Sequence, residues 1–198
     1  MNIEKSAKHL AEIDPKMGEL IEKIGIIELP VPQGNFENLV DSIISQQVSV
    51  QAASSIRQRV FEAIDFDIRP ERLLNTPLDT LRSAGLSRQK TTYIAALAEA
   101  FFHNSIAYNN LHKLPNEEVV KLLTEIKGVG VWTAQMFMMF NLLREDVFPV
   151  GDLGVRRAIE KHYFDGEKQE HEILIKKAEI WMPYRTVASF YLWRSLKA

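Results

Sequence analysis

The sequence predicts an all-α protein. Apolar residues recur at helical spacing along nearly the whole chain, as in Leu39, Ile43 and Ile44 and again in Tyr93, Ala96, Leu97 and Ala100, while the alternation of a half-buried strand is scarce. With 198 residues, 46% of them hydrophobic and 25% charged, the chain has the composition of an ordinary globular protein and the length to bury a core. No apolar run approaches the ~20 residues of a membrane-crossing helix, and Met1-Asn2-Ile3-Glu4-Lys5 lacks the apolar stretch of a signal peptide, so an intracellular protein with no membrane partner is expected. The chain has no cysteine, which excludes disulfides, thiolate zinc sites and a cysteine-ligated iron–sulfur cluster.

Taken in order, the elements have local causes. Pro30-Val31-Pro32-Gln33-Gly34-Asn35 breaks the chain, and a helix carrying Leu39, Ile43 and Ile44 begins after it. Ser45-Gln46-Gln47-Val48 lies between two helices. Ser87 is a credible N-cap, but the turn it opens carries Arg88 and Lys90 where the helix dipole prefers acids, an arrangement that an anion would relieve. Leu114-Pro115-Asn116 introduces the next helix, with Asn116 as its cap and Glu117 and Glu118 in its first turn. The apolar stretch Val119 to Ile126 then gives way at Gly128-Val129-Gly130 to a second, Val131 to Leu143, which Arg144-Glu145-Asp146 closes. After Phe148-Pro149-Val150-Gly151, Asp152 precedes the opening of a further helix, where it reads as an N-cap.

The two glycines around Val129 predict a tight turn with an uncovered backbone. Glycine permits positive φ and close approach of N–H groups to a ligand, and the following helix offers its positive end, so a phosphate is the natural occupant, with Lys127 a mobile cation beside it. A plain hairpin between two buried helices fits the same residues.

The run Ile126-Lys127-Gly128-Val129-Gly130-Val131-Trp132-Thr133-Ala134 followed by Asp152 resembles the helix-hairpin-helix DNA glycosylases. Further matches are Ser45-Gln46-Gln47-Val48-Ser49, Gly85-Leu86-Ser87-Arg88-Gln89-Lys90, and Trp181-Met182-Pro183-Tyr184-Arg185 with Tyr191-Leu192-Trp193-Arg194, and within the family they look most like the 3-methyladenine branch. The resemblance implies two helical lobes with the substrate cleft between them: a central lobe of residues 35–144, and a second of residues 1–34 plus 145–198. It also implies a DNA repair enzyme that flips an alkylated base out of double-stranded DNA as a monomer and hydrolyses its glycosidic bond. Some members of the superfamily carry an iron–sulfur cluster; without cysteine this chain is expected to have none and to need no cofactor, with the hairpin a candidate site for a monovalent cation.

The same resemblance assigns roles. Asp152 would face a deoxyribose that becomes positively charged as its base departs. An N-alkylated purine is already cationic, so no general acid is required, and no obvious second acid accompanies Asp152. Trp132 stands where relatives that also nick DNA have a lysine nucleophile, which implies hydrolysis that leaves an abasic site. Trp132 and Trp193 would wall the base pocket, with Tyr184 and Met136 as weaker candidates and Trp181 structural; an indole face attracts a cationic base by roughly 1 to 3 kcal/mol. On the residues alone, a place in the core is the commoner outcome for both tryptophans in a helical protein. Lys127, Gly128, Gly130, Thr133, Arg88 and Lys90 would contact DNA, and Gln46 or Gln47 would occupy the gap left by the flipped base, Gln47 standing where a relative has an apolar wedge.

A formal charge of −2 does not advertise DNA binding. Affinity depends on a local cluster of phosphate contacts rather than on net charge, so modest affinity and a shallow salt dependence are expected. Two alternatives remain at this level: a helix-hairpin-helix protein that binds DNA without chemistry, and a glycosylase of the same fold for oxidised or mismatched bases.

Overall fold

The computed structural model of the chain describes residues 1–29 and 31–197. Pro30, part of the expected break, lies outside the described residues. Among them are thirteen α-helices and no strand, and the chain divides into two compact units, Met1–Val31 with Met138–Ala198 and Pro32–Phe137.

The first unit opens with α1 (Ile3–Ile13) and α2 (Pro15–Ile24). Asn2 caps α1, and Asp14 caps α2 ahead of a proline whose missing N–H costs nothing at the first helical position. The central unit holds α3 (Asn35–Ser45), α4 (Val50–Ala63), α5 (Pro70–Leu74), α6 (Leu78–Ser83), α7 (Arg88–His103), α8 (Ser105–Asn109), α9 (Asn116–Thr124) and most of α10 (Val131–Phe140). The long α7 is its axis, burying Ile94, Leu97, Ala98 and Phe101 and packing against α3, α5 and α6. From α3, which packs on it, Phe36, Leu39, Val40, Ile43 and Ile44 are buried, and the Phe36 ring meets that of Phe101 at 5.2 Å. Returning to the first unit, α11 (Leu153–Tyr163), α12 (His171–Ala178) and α13 (Arg185–Ser195) complete the chain. Here α13 is the core helix, buried from Thr186 to Leu192 and packed on α1, α2 and α11.

Three boundaries differ from the sequence reading. The division between units falls inside α10 instead of after Arg144, because Phe140 at the end of that helix packs its ring on Phe190 and Trp193 of α13, at 5.1 and 5.9 Å between centroids. The helix itself stops at Phe140 and does not run on to Leu143: Leu143 takes a left-handed φ of 52° and Arg144 N–H bonds the Met138 carbonyl, which turns the chain away. Asn116 is the first residue of α9 and not its cap; the extended Pro115 occupies the cap position, with no side-chain bond.

Asp14 ties the first unit together across long stretches of sequence. Only 4% exposed, it accepts the backbone N–H groups of Lys16 and Met17 on one oxygen. The other oxygen accepts Tyr163 Oη–H at 2.9 Å, Trp181 Nε1–H at 2.9 Å and Lys177 Nζ at 3.3 Å. Burial pushes this carboxyl up, but bonds from Trp181, Tyr163 and Met17 and the charge of Lys177 together bring it below its ordinary 3.8. A carboxyl held lower in the folded than in the unfolded chain adds stability that is complete above the ordinary value and is lost as pH falls through the depressed one. Asp14→Asn should therefore cost about 3 kcal/mol at neutral pH, since it leaves buried donors unmatched. Its melting temperature should also fall less steeply than that of the parent below pH 3.8, which calorimetry across pH would measure.

Candidate active site and nucleic-acid interface

In the central unit the turn between α9 and α10 is closed by Val129 N–H on the Ile126 carbonyl at 3.0 Å, while Gly130 C=O accepts the first bond of α10 from Ala134. The two glycines are not equivalent. Gly128 has φ +97°, and a Cβ there would lie 2.2 Å from Tyr93 Cγ and 2.6 Å from Tyr93 Cβ, so only glycine fits on either count. Gly130 is outside the left-handed region and a Cβ on it would meet nothing within 4 Å. The turn thus needs Gly128 for its conformation and for Tyr93 beneath it, whereas Gly130 leaves an open stretch of backbone on the surface.

Beside this turn lies a cavity of about 580 Å³ whose lining includes Gln46, Gln47, Lys90, Tyr93, Gly128 and Gly130. Gln46 donates its amide N–H to the Gly128 carbonyl at 3.0 Å, tying the loop after α3 to the hairpin. Gln47, exposed and at φ 56°, points its backbone out of the helix path. Ser87 caps α7 by accepting Lys90 N–H. The Lys90 ammonium does not wait for an anion, contrary to the electrostatic argument from sequence: it donates to the Ile44 carbonyl at 2.7 Å, in the last turn of α3, where a cation satisfies the negative end of the helix. Burial lowers its pKa. Arg88 and Lys127 stand elsewhere, Arg88 in a shallow hollow with Asp79 and Arg82, and Lys127 in one with Glu99, His103 and Glu125.

A second cavity of the central unit, about 560 Å³, is lined by Trp132, Thr133 and Met136 from α10 and by residues of α3 and the loops at its ends. Trp132 is 48% exposed and is no core residue. Thr133, expected on the DNA surface, is only 5% exposed and lines this cavity beside Trp132. The sequence reading missed the side of the cavity formed by Asn38, Asp41 and Ser42. Their helical spacing opposite the apolar stripe of α3 was visible, but such a face usually meets only water.

In the other unit, Asp152 caps α11, its Oδ1 accepting Val155 N–H at 2.9 Å. The same oxygen accepts Trp193 Nε1–H at 2.7 Å. Gly154 makes this possible: a Cβ at 154 would come within 2.8 Å of Trp193 Cδ1. The segment leading to Asp152 is held to α13, where Arg185 grips Asp146 with both ends of its guanidinium at 2.7 and 2.9 Å, and Thr186 Oγ1 accepts Val147 N–H at 2.9 Å. Trp193 is thus brought to Asp152, Tyr184 stands edge-on to His9 at 5.3 Å, and Trp181 is fully buried. Among the described residues no group of His, Asp or Glu side chains could hold a metal ion, and no helix is long and apolar enough to cross a membrane.

Comparison with known proteins identifies the family. Residues 40–183 match the model of the HhH-GPD superfamily base excision DNA repair proteins. The chain is 32% identical over 196 residues to the alkylbase DNA glycosidase-like protein mag2 of Schizosaccharomyces pombe, covering 96% of this chain and 92% of that one. Among solved structures, a DNA-3-methyladenine glycosidase from Bacillus halodurans superposes with a TM-score of 0.88 at 38% identity, over 96% of this chain and 88% of that one. The S. pombe 3-methyladenine DNA glycosylase Mag1 in complex with abasic DNA gives 0.86 at 29% identity, over 98% and 97%. With a family model covering most of the chain, a hairpin whose Gly128 is sterically required and an aspartate held at the head of α11, this protein belongs to the HhH-GPD superfamily of base excision DNA repair proteins.

Proposed function

We propose that this protein is a DNA glycosylase that removes alkylated bases of the 3-methyladenine and 7-methylguanine type from double-stranded DNA and leaves an abasic site. The observation that carries the reading is the Asp152 carboxylate, oriented by two N–H donors on one oxygen, in a chain similar to proteins named for 3-methyladenine excision. A fixed negative charge stabilises a sugar that turns cationic as its bond to the base breaks. The alkylated base leaves with the electron pair of that bond and needs no proton, and water then attacks the sugar carbon, giving up its proton to the Asp152 carboxylate or to solvent. Trp132 offers an exposed indole on which an electron-poor base can stack. Gly130 presents its backbone to a phosphate, and Gln47, exposed at a left-handed turn, fills the gap that the extruded nucleotide leaves. One copy of the chain serves one lesion.

The test is incubation with methylated duplex DNA and chromatography of released bases. Release of 3-methyladenine and 7-methylguanine, with strands intact until hot alkali is added and no adduct trapped by borohydride, is the expected result. Binding without release would leave a DNA-binding protein that does no chemistry. A borohydride adduct that disappears with Lys127→Ala would make Lys127 a nucleophile and the enzyme a lyase.

A further inference from the structure

The cavity at Trp132 has two unlike walls. Trp132 and Met136, one turn apart on α10, make a face of π electrons and sulfur. The same cavity is lined by Asn38, Asp41 and Ser42, which share one face of α3 through their i, i+3 and i+4 spacing, while the other face is buried against the core. Asp41 is held there rigidly: Arg57 Nε bonds both of its oxygens, at 2.7 and 2.8 Å, and the same guanidinium reaches Glu37 at 3.2 Å. Gln33, which also lines the cavity, hydrogen-bonds the same carboxylate, and with two acceptor sites on each oxygen the carboxylate keeps capacity for a further donor. Ser42 beside it adds a hydroxyl that can accept as well as donate.

A cavity lined by an aromatic platform together with the Asp41 carboxylate and the Ser42 hydroxyl suits a flat, electron-poor ring that carries N–H groups on its edge. We infer that Asp41 and Ser42 are specificity-determining residues that read the N–H edge of the extruded base, so that the pocket selects damaged purines keeping an amino or ring N–H donor over those that have lost it. This rests on the glycosylase reading above. 3-Methyladenine keeps its exocyclic amino group and 7-methylguanine keeps an amino group and a ring N–H, whereas in ethenoadenine the former amino nitrogen is closed into a second ring and has no hydrogen. A pocket that only stacked bases would accept all three, since stacking is indifferent to edge chemistry. The Asp41 carboxylate, which can only accept, penalises a ring that offers it no N–H.

The experiment compares single-turnover release of 3-methyladenine and ethenoadenine from duplex DNA by the parent protein, Ser42→Ala and Asp41→Asn. Equilibrium dialysis of the two free bases against the same proteins supplies a readout that needs no catalysis. The parent should prefer 3-methyladenine in both measurements. Ser42→Ala, which leaves the Arg57 pair intact, should narrow the preference roughly fivefold, and Asp41→Asn roughly tenfold or more. Equal handling of the two bases by the parent, or a preference that survives both substitutions in folded proteins, would overturn the inference. If the parent releases no base at all, the glycosylase reading fails separately; dialysis then decides the wall, which stands if the variants lose a preference for the free donor base and falls if the parent has none.

Discussion

Asp152→Asn is expected to lower the rate of base excision on the order of 10²- to 10⁴-fold while leaving the melting temperature and DNA affinity close to those of the parent. The structure makes this substitution unusually clean. The bonds that the carboxylate accepts from Val155 N–H and Trp193 Nε1–H fall on the same oxygen. An asparagine can keep an oxygen in that place, and asparagine is itself among the best N-caps, so the start of α11 and the seat of Trp193 survive. What goes is the negative charge. Asp152→Ala removes both acceptors as well and should cost about 1 to 3 kcal/mol of stability, most of it from the unmatched indole and backbone N–H groups. Single-turnover excision on methylated duplex DNA, read beside thermal melting of all three proteins, separates the roles. A near-parental rate in Asp152→Asn would reduce Asp152 to a helix cap.

Gly128→Ala is expected to be the most damaging single-methyl change in the hairpin, at about 3 kcal/mol, or a fall in melting temperature of roughly 6 to 12 °C. Two independent costs add. Alanine is strained at φ +97°, and its methyl would fall 2.2 to 2.6 Å from Tyr93 atoms, Cβ among them, that no rotation of the tyrosine ring can move away. Truncating Tyr93 to alanine in the same chain should recover the part of the loss due to the ring and leave the backbone part and the contact with Cβ, a coupling that a double-mutant cycle measures. Gly130→Ala is the control. It has open space and ordinary backbone, so the protein should melt within about 1 kcal/mol of the parent. If the backbone at Gly130 approaches a phosphate, this variant should bind every duplex more weakly, whatever its sequence or lesion. Equal loss of melting temperature in the two variants would mean that the hairpin is a packing device with symmetrical glycines.

Much of the candidate site was legible in the chain because its causes are local. Ser87 and Asp152 read as caps since each accepts an N–H three residues on. The glycine turn read as a turn because two apolar helices had to be joined across it. The all-α class followed from periodicity alone, which depends on neighbours within a turn or two. Where the reading went astray, the missing partner was far away in sequence. Lys90 looked like a cation in the wrong end of a helix, yet its partner is a carbonyl 46 residues earlier, at the right end of another. Gln46 and Gln47 were indistinguishable until a bond across 82 residues tied Gln46 to Gly128 and left Gln47 at the surface.

The sequence by itself determined the all-α class, the caps at Ser87 and Asp152, the hairpin and the candidate aspartate, since backbone propensity, capping and spacing act between residues that are already adjacent. Only the tertiary structure decided that Gly128 and not Gly130 is the obligatory glycine, that Trp193 orients Asp152, and that the polar face of α3 lines a cavity and not bulk water. Each of these depends on which side chain from a distant segment arrives at the position. A Cβ that collides at 2.2 Å and one that meets nothing within 4 Å follow the same residue letter, and the difference lies entirely in what packing has brought alongside.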